Sequence, residues 1–307
     1  MNCLRNYLFV AIKGTTSWKV SSSYGIRTIE PYRHRSRWAY RIRYFVHLLR
    51  MDRLVSICSD INEDILKESP DLIVISGSLI YEPFVKQLRF FFPNIRIKYC
   101  YNNIVKSKAS ISPDVLFRYS IEGWSWDLQD CKLYNLNYNK PSFNKELLHR
   151  SNSNKYDVCF IGKEKGRYET VARLQKLLEK MGFICYIKIM PNYSFLLKFR
   201  SYYSKPISYE DYLDIVASSR CIIDLVQEGQ AGTTMRVLEA LFSQKKLITN
   251  NVSLASYDFY DKQNIFILGR DPLDSLSAFL GSEFKPISPL ILSSYSTEQW
   301  ISKMVYD

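Results

Sequence analysis

Short, unbroken apolar runs alternate along the chain with stretches whose apolar positions recur every three or four residues. Runs of the first kind read as strands buried on both faces, and stretches of the second as amphipathic helices. In the first part, strands are predicted at 7–12, 54–58, 72–76, 95–101 and 115–119, with 133–136 extended. Helices are predicted over 35–53, 62–68 and 82–91, the last ended by Pro93. The tract 139–156 (NKPSFNKELLHRSNSNKY) is polar without sustained periodicity and reads as a linker. Beyond it lie predicted strands at 157–161, 183–189, 221–226, 246–249 and 265–268. Helices are predicted at 168–181, closed by Gly182, and at 208–218, capped by Ser208 with Asp211 three residues on. Further helices are expected at 235–243, 273–279 and 296–305. Strand alternating with helix predicts an α/β protein with mostly parallel sheets covered on both faces. Two domains follow, 1–145 and 155–295, with 296–307 as a closing helix.

The densest chemistry lies in residues 221–250, CIIDLVQEGQAGTTMRVLEALFSQKKLITN. A strand leads through Gly232, Thr233 and Thr234 into a helix, which sets the helix's free N–H groups at the carboxyl edge of a sheet. Open α/β folds bind ligands at that edge. The two hydroxyls and the forked Arg236 cation suit phosphate oxygens, and Glu239, three residues on, suits ribose hydroxyls. The alternative is that Thr233 only caps the helix and that Arg236 and Glu239 form a surface pair. The loop 162–167, GKEKGR, joins another strand to a helix with Gly162, Lys163, Lys165 and Arg167, and lacks the ending of a Walker loop. It reads as a phosphate loop or as a basic turn. The loop 13–19, with Gly14, follows the first strand and reads as a donor or acceptor contact or as ordinary surface; residues 101–103 end a strand on the same edge.

Gly232-Thr233-Thr234-Met235-Arg236-Val237-Leu238-Glu239-Ala240-Leu241, followed by Lys245-Lys246-Leu247-Ile248-Thr249-Asn250, resembles the donor-site segment of bacterial GT-B glycosyltransferases that build lipopolysaccharide, O-antigen and capsule. That segment typically reads Gly-Leu-Thr-Met-Arg-x-x-Glu-Ala-Leu, then Lys-Lys-Leu-Ile-Thr. Thr233 stands in place of the Leu, and the related Glu-x7-Glu pattern is broken because Ala231 lies eight residues before Glu239. Glu228 is nearby at another spacing, so the stereochemical class stays open. The resemblance implies two Rossmann-like domains facing a cleft, a nucleotide-diphosphate sugar as donor substrate, no cofactor and no metal. It also implies a donor site from Gly14, Gly162, Lys163, Arg167, Gly232, Thr233, Thr234, Arg236 and Glu239. His34 and Asp127 are the candidates for the catalytic base; Asp127 reads equally as a helix-start acid.

Composition changes this picture in two places. Seven scattered cysteines without a Cys-x-x-Cys pair read as reduced thiols, which points to the cytoplasm. The N-terminal run is too short for a signal peptide, and no run reaches the roughly 20 residues of a membrane span. The net charge of +12 is concentrated at 27–53: Arg27, Arg33, Arg35, Arg37, Arg41, Arg43, Arg50 and Arg53 face only Glu30 and Asp52, with aromatics between. This tract suits an anionic membrane surface, a solvated helix face or nucleic acid. No nucleic-acid motif is present, so nucleic acid is not expected as a partner. The expectation is a glycosyltransferase peripheral to the inner membrane with a lipid-linked glycan or lipopolysaccharide acceptor. A catalytically silent relative serving as a scaffold is the alternative.

Overall fold

The computed structural model describes residues 6–13, 24–33, 61–77, 80–106, 111–149, 151, 154–192, 201–227 and 232–307. The expected helix 35–53, the expected strand 54–58, His34, Gly14, Glu228 and Ala231 lie outside them. The chain divides into two compact units, Met1–Lys140 with Trp300–Asp307, and Pro141–Gln299.

In the first unit, β1 (Tyr7–Val10), β2 (Arg27–Ile29), β3 (Leu72–Gly77), β4 (Arg96–Tyr101), β5 (Glu122–Ser125) and β6 (Asn137–Tyr138) form one parallel sheet in the order β2-β1-β3-β4-β5-β6. The helices between them are α1 (Glu63–Leu66), α2 (Glu82–Phe91), α3 (Pro113–Arg118) and α4 (Leu128–Tyr134). Alternate residues of β3 divide between two cores: Ile73 and Ile75 pack with Phe84, Val85 and Leu88 of α2, whereas Leu72 and Val74 pack with Trp124 and Met304. Both faces are therefore dry, which is why the strands read as unbroken apolar runs.

Two expectations fail here. Residues 115–119 are not a strand but part of α3, where Pro113 stands at the first turn behind Ser112. Proline's fixed φ and missing N–H suit that position and outweigh the strand-like composition of Val115 to Tyr119. In the stretch 133–136, Leu133 and Tyr134 are not extended but end α4, which closes at Asn135 in the left-handed region (φ 51). The short β2 at the sheet edge had no expected counterpart.

In the second unit, β7 (Tyr156–Lys163), β8 (Cys185–Met190), β9 (Ser219–Asp224), β10 (Lys246–Thr249) and β11 (Ile265–Ile267) form a second parallel sheet, ordered β11-β10-β9-β7-β8. Helices α5 (Tyr168–Lys180), α6 (Tyr209–Ala217), α7 (Met235–Phe242), α8 (Leu276–Gly281) and α9 (Pro289–Ser294) accompany it. α5 and α8 cover one face through Val171, Leu174, Leu178 and Leu276; α6 and α7 cover the other through Leu213, Val216, Val237 and Leu241. The last helix, α10 (Thr297–Tyr306), carries Met304 into the first unit's core. The chain runs from β7 outward to β8 and then returns to the other side of β7 with β9. The order therefore reverses between β7 and β9, which opens a crevice at their carboxyl ends.

Candidate functional site

That crevice is a pocket of about 510 Å³, lined by the end of β7, the loop after it, the end of β9 and the starts of α6 and α7. The loop bends back through Lys165 (φ 42) and Gly166 (φ 76), which brings Lys163, Lys165 and Arg167 to one wall. Arg167 donates to Leu225 O and to Lys163 O, tying the loop to the end of β9. Burial, and next the Arg236 guanidinium, push Arg167 down to about 10. Lys165 is lowered by burial first and then by Arg167, Lys163 and Arg236. Four cations thus repel one another around one space, an arrangement that an anion would relieve.

Arg236, in the first turn of α7, lies across the mouth of β7. Its Nη2 donates to Ile161 O at 2.7 Å, and its Nη1 is 3.5 Å from Oδ1 of Asp224. Gly162 makes this placement possible: a methyl group at that position would stand 2.7 Å from Arg236 Nη2. Asp224 is fully buried, and burial raises its pKa against the opposing pull of Arg236 and Thr234. The Thr234 hydroxyl lies close enough to Asp224 to favour its charged form, yet makes no well-aligned hydrogen bond. Thr234 occupies the N-cap position of α7 without capping it. Thr233 Oγ1, Arg236 Nε and Asp224 Oδ2 are all buried without a partner. Unpaired buried polar atoms are rare, and these three converge on the start of one helix.

Glu239 follows on the same face of α7, only 2% exposed. Its Oε1 accepts from Tyr209 Oη at 2.9 Å and its Oε2 from Tyr212 Oη. Burial raises its pKa, while the two phenols and Arg236 pull it down.

No protein-family model matches the sequence, and no curated protein matches it. Solved structures do resemble its fold. The avilamycin A glycosyltransferase AviGT4 is similar over 99% of this chain and 99% of its own, at 10% identity and a TM-score of 0.54. A sucrose-phosphate synthase from Thermosynechococcus elongatus is similar over 97% of both chains, at 8% identity and a TM-score of 0.57. The fold is GT-B. At such identities the likeness concerns architecture alone.

On this GT-B frame, Gly162, Lys163, Arg167, Thr234, Arg236 and Glu239 line one pocket, whereas Gly232 and Thr233, next to it in sequence, are buried and do not line it. Arg236 and Glu239 do not form a surface pair; they point into the unit and take different partners. Asp127 belongs to the first unit, where its Oδ1 accepts from Gln129 N at 2.8 Å and Asp130 N at 3.0 Å as the N-cap of α4. Asp224, Tyr209 and Tyr212 had not been singled out. A lone carboxylate ending an apolar strand, and two tyrosines three residues apart at a capped helix start, were their available signals.

Proposed function

We propose that the protein is a glycosyltransferase whose second unit binds a nucleoside-diphosphate sugar in the pocket between β7 and β9. The observation that carries this reading is the cluster of four mutually repelling cations, Lys163, Lys165, Arg167 and Arg236, around one pocket, beside the orphaned buried donors Thr233 Oγ1 and Arg236 Nε. A diphosphate would accept from the hydroxyl, the guanidinium and the first N–H groups of α7, and its charge would relieve Lys163, Lys165 and Arg167. As the sugar departs, negative charge grows on the leaving diphosphate; preorganised cations stabilise it most in this half-buried setting. These side chains make the transfer metal-independent. Glu239 accepts from the ribose hydroxyls.

The acceptor in this reading is a lipid-linked oligosaccharide or lipopolysaccharide at the cytoplasmic face of the inner membrane. Its support is the likeness of residues 232–250 to the donor segment of enzymes of that type, together with the arginine-rich tract 27–53. His34 remains a candidate base. A thermal-shift screen against UDP, GDP, CDP, ADP and dTDP tests the donor site, with Arg236→Ala and Glu239→Ala in parallel. Ligand at 100 times its dissociation constant adds about 2.7 kcal/mol. A shift with one nucleotide, lost in both variants and followed by EDTA-resistant sugar release, supports the reading. No shift with any nucleotide overturns it in favour of a silent scaffold.

A further inference from the structure

Glu239 poses a problem that the donor reading alone does not solve. A carboxylate almost wholly removed from water tends to take up a proton, and a protonated acid is a poorer acceptor for a pair of hydroxyls. It also needs a fixed orientation to serve two hydroxyls at once. The structure supplies both requirements from the neighbouring helix.

We propose that Tyr209 and Tyr212 are positioning residues that clamp the Glu239 carboxylate, one phenol on each oxygen, so that its remaining lone pairs meet the ribose of the donor. This rests on the donor-site reading above. Each carboxylate oxygen has about two acceptor sites, so one phenol per oxygen leaves capacity for a ligand hydroxyl on each. The clamp is itself rigid. Tyr209 and Tyr212 lie one turn apart on α6 with their rings stacked at 5.8 Å and 22°. Ser208 fixes that helix start through a reciprocal capping box with Asp211. Tyr212 belongs to the core beside Leu213 and Val216 and Tyr209 is half-buried; both line the pocket. The groups acting on Glu239 are these two phenols from α6, Arg236 of its own helix and Asp224 at the end of β9; Glu239 in turn raises the buried Cys159 thiol of β7. Burial and Asp224 disfavour its anion; the phenols and Arg236 favour it. Removing a phenol therefore makes Glu239 harder to ionise.

The test is calorimetric titration, between pH 5.5 and 8.5, of the nucleoside diphosphate that stabilises the wild type most, beside its 2′-deoxy analogue. Tyr209→Phe, Tyr212→Phe and the double variant are compared with the wild type. Each single variant should bind the ribonucleotide about tenfold more weakly. The acid limb of the affinity profile should move to higher pH, so the defect is larger at pH 6 than at pH 8. The preference for the ribo form over the 2′-deoxy form should collapse in the double variant. Folded variants that keep the wild-type ribo preference and pH profile overturn the clamp while leaving the donor site standing. So does a wild type that binds a nucleotide but prefers dTDP. Failure of every nucleoside diphosphate to bind overturns the donor reading and the clamp together. Should Tyr212→Phe fail to fold, Tyr209→Phe, at the pocket wall, decides the matter.

Discussion

Replacing Gly162 by alanine separates the architecture of β7 from the placement of Arg236. The glycine's φ is not in the left-handed region, so alanine meets no backbone strain and the cost lies in contacts alone. The new methyl would stand 2.7 Å from Arg236 Nη2, 3.3 Å from Phe160 Cζ and 3.4 Å from Arg167 Nη2. Ordinary contact requires Arg236 to withdraw by about 0.7 Å, from 2.7 to 3.4 Å. Its flexible end can do so without moving the sheet, but the 2.7 Å bond to Ile161 O must stretch. A hydrogen bond from a charged group contributes about 1.5–3 kcal/mol. Partial loss should therefore cost about 1 kcal/mol, or about 2–4 °C in Tm. Nucleotide affinity should fall at least about tenfold, because a displacement approaching 1 Å is enough to disable a preorganised contact. Gly182→Ala, just past the end of α5 and outside the pocket lining, is the control. Its methyl meets open space and its φ of 87 makes the substitution strained, at about 1 kcal/mol. It should match Gly162→Ala in Tm yet bind nucleotide far better. Scanning calorimetry and isothermal titration of both variants beside Arg236→Ala measure the contrast. Wild-type affinity in Gly162→Ala, or equal losses in Gly182→Ala, would refute the reasoning.

Three further outcomes follow from single side chains. Arg89 donates to five carbonyls, those of Tyr119, Phe92, Pro93, Ile95 and Ser120, at 2.8 to 3.1 Å. Lysine lacks the fork that reaches them, so Arg89→Lys should lose about 3 kcal/mol in urea unfolding; an unchanged midpoint would sink this account. Asp224 has its pKa raised by burial, so the folded state holds the proton more tightly than the unfolded chain. Stability from this group is then greatest at low pH and declines as pH rises from about 4 through the folded pKa. The Tm of the wild type minus that of Asp224→Asn should fall over that range, and a flat or rising difference contradicts the assignment. Lys98 is fully buried, donates to Met304 O at 2.7 Å and lies over the Trp124 ring. Lys98→Met should speed amide exchange in residues 300–306 of α10, and unchanged exchange there would show that other contacts hold the helix.

The second sheet and its site were more legible than the first for a physical reason. Its inner strands β7, β9 and β10 are mostly apolar and buried, and its helices α5 and α6 are bounded by unambiguous caps: Gly182 at φ 87 and Ser208 with its capping box. In the first unit, aromatic and β-branched residues sit inside short helices, where tertiary packing overrides propensity; Val115 in α3 is the plainest case. The three residues of β2 are held by register with β1, which no local pattern announces. In the site, residues drawn from one stretch of chain were legible: Thr234, Arg236 and Glu239 share a helix start. Their partners were not. Asp224, Tyr209 and Tyr212 reach them only because β9 lies beside β7 and α6 packs beside α7, and topology of that kind is invisible in a local window.

The net charge of +12 can now be divided between internal and outward uses. Lys98 and Lys246 are buried and donate to carbonyls at helix ends, Met304 O and Phe279 O, where cations complement the helix dipole. Arg89, Arg167 and Arg236 are likewise committed to backbone carbonyls. These cations have no freedom to meet a distant surface. The arginines of 27–53 differ where they are described: Arg27 pairs with Glu68 and Arg33 with Glu63, and both guanidinium groups remain largely exposed. Exposed pairs contribute about 0–1 kcal/mol and weaken with salt, so an anionic surface can compete for them. Near anionic headgroups each cation contributes about 1 kcal/mol. Replacing Arg35, Arg37, Arg41 and Arg43 together should therefore lower partitioning onto phosphatidylserine-containing vesicles about a hundredfold or more at low salt. Nucleotide affinity in the second unit should not change. Sedimentation of vesicles with bound protein measures the first, and titration calorimetry the second. Equal partitioning of wild type and variant would remove the arginine tract as a membrane contact and leave the excess charge to solubility.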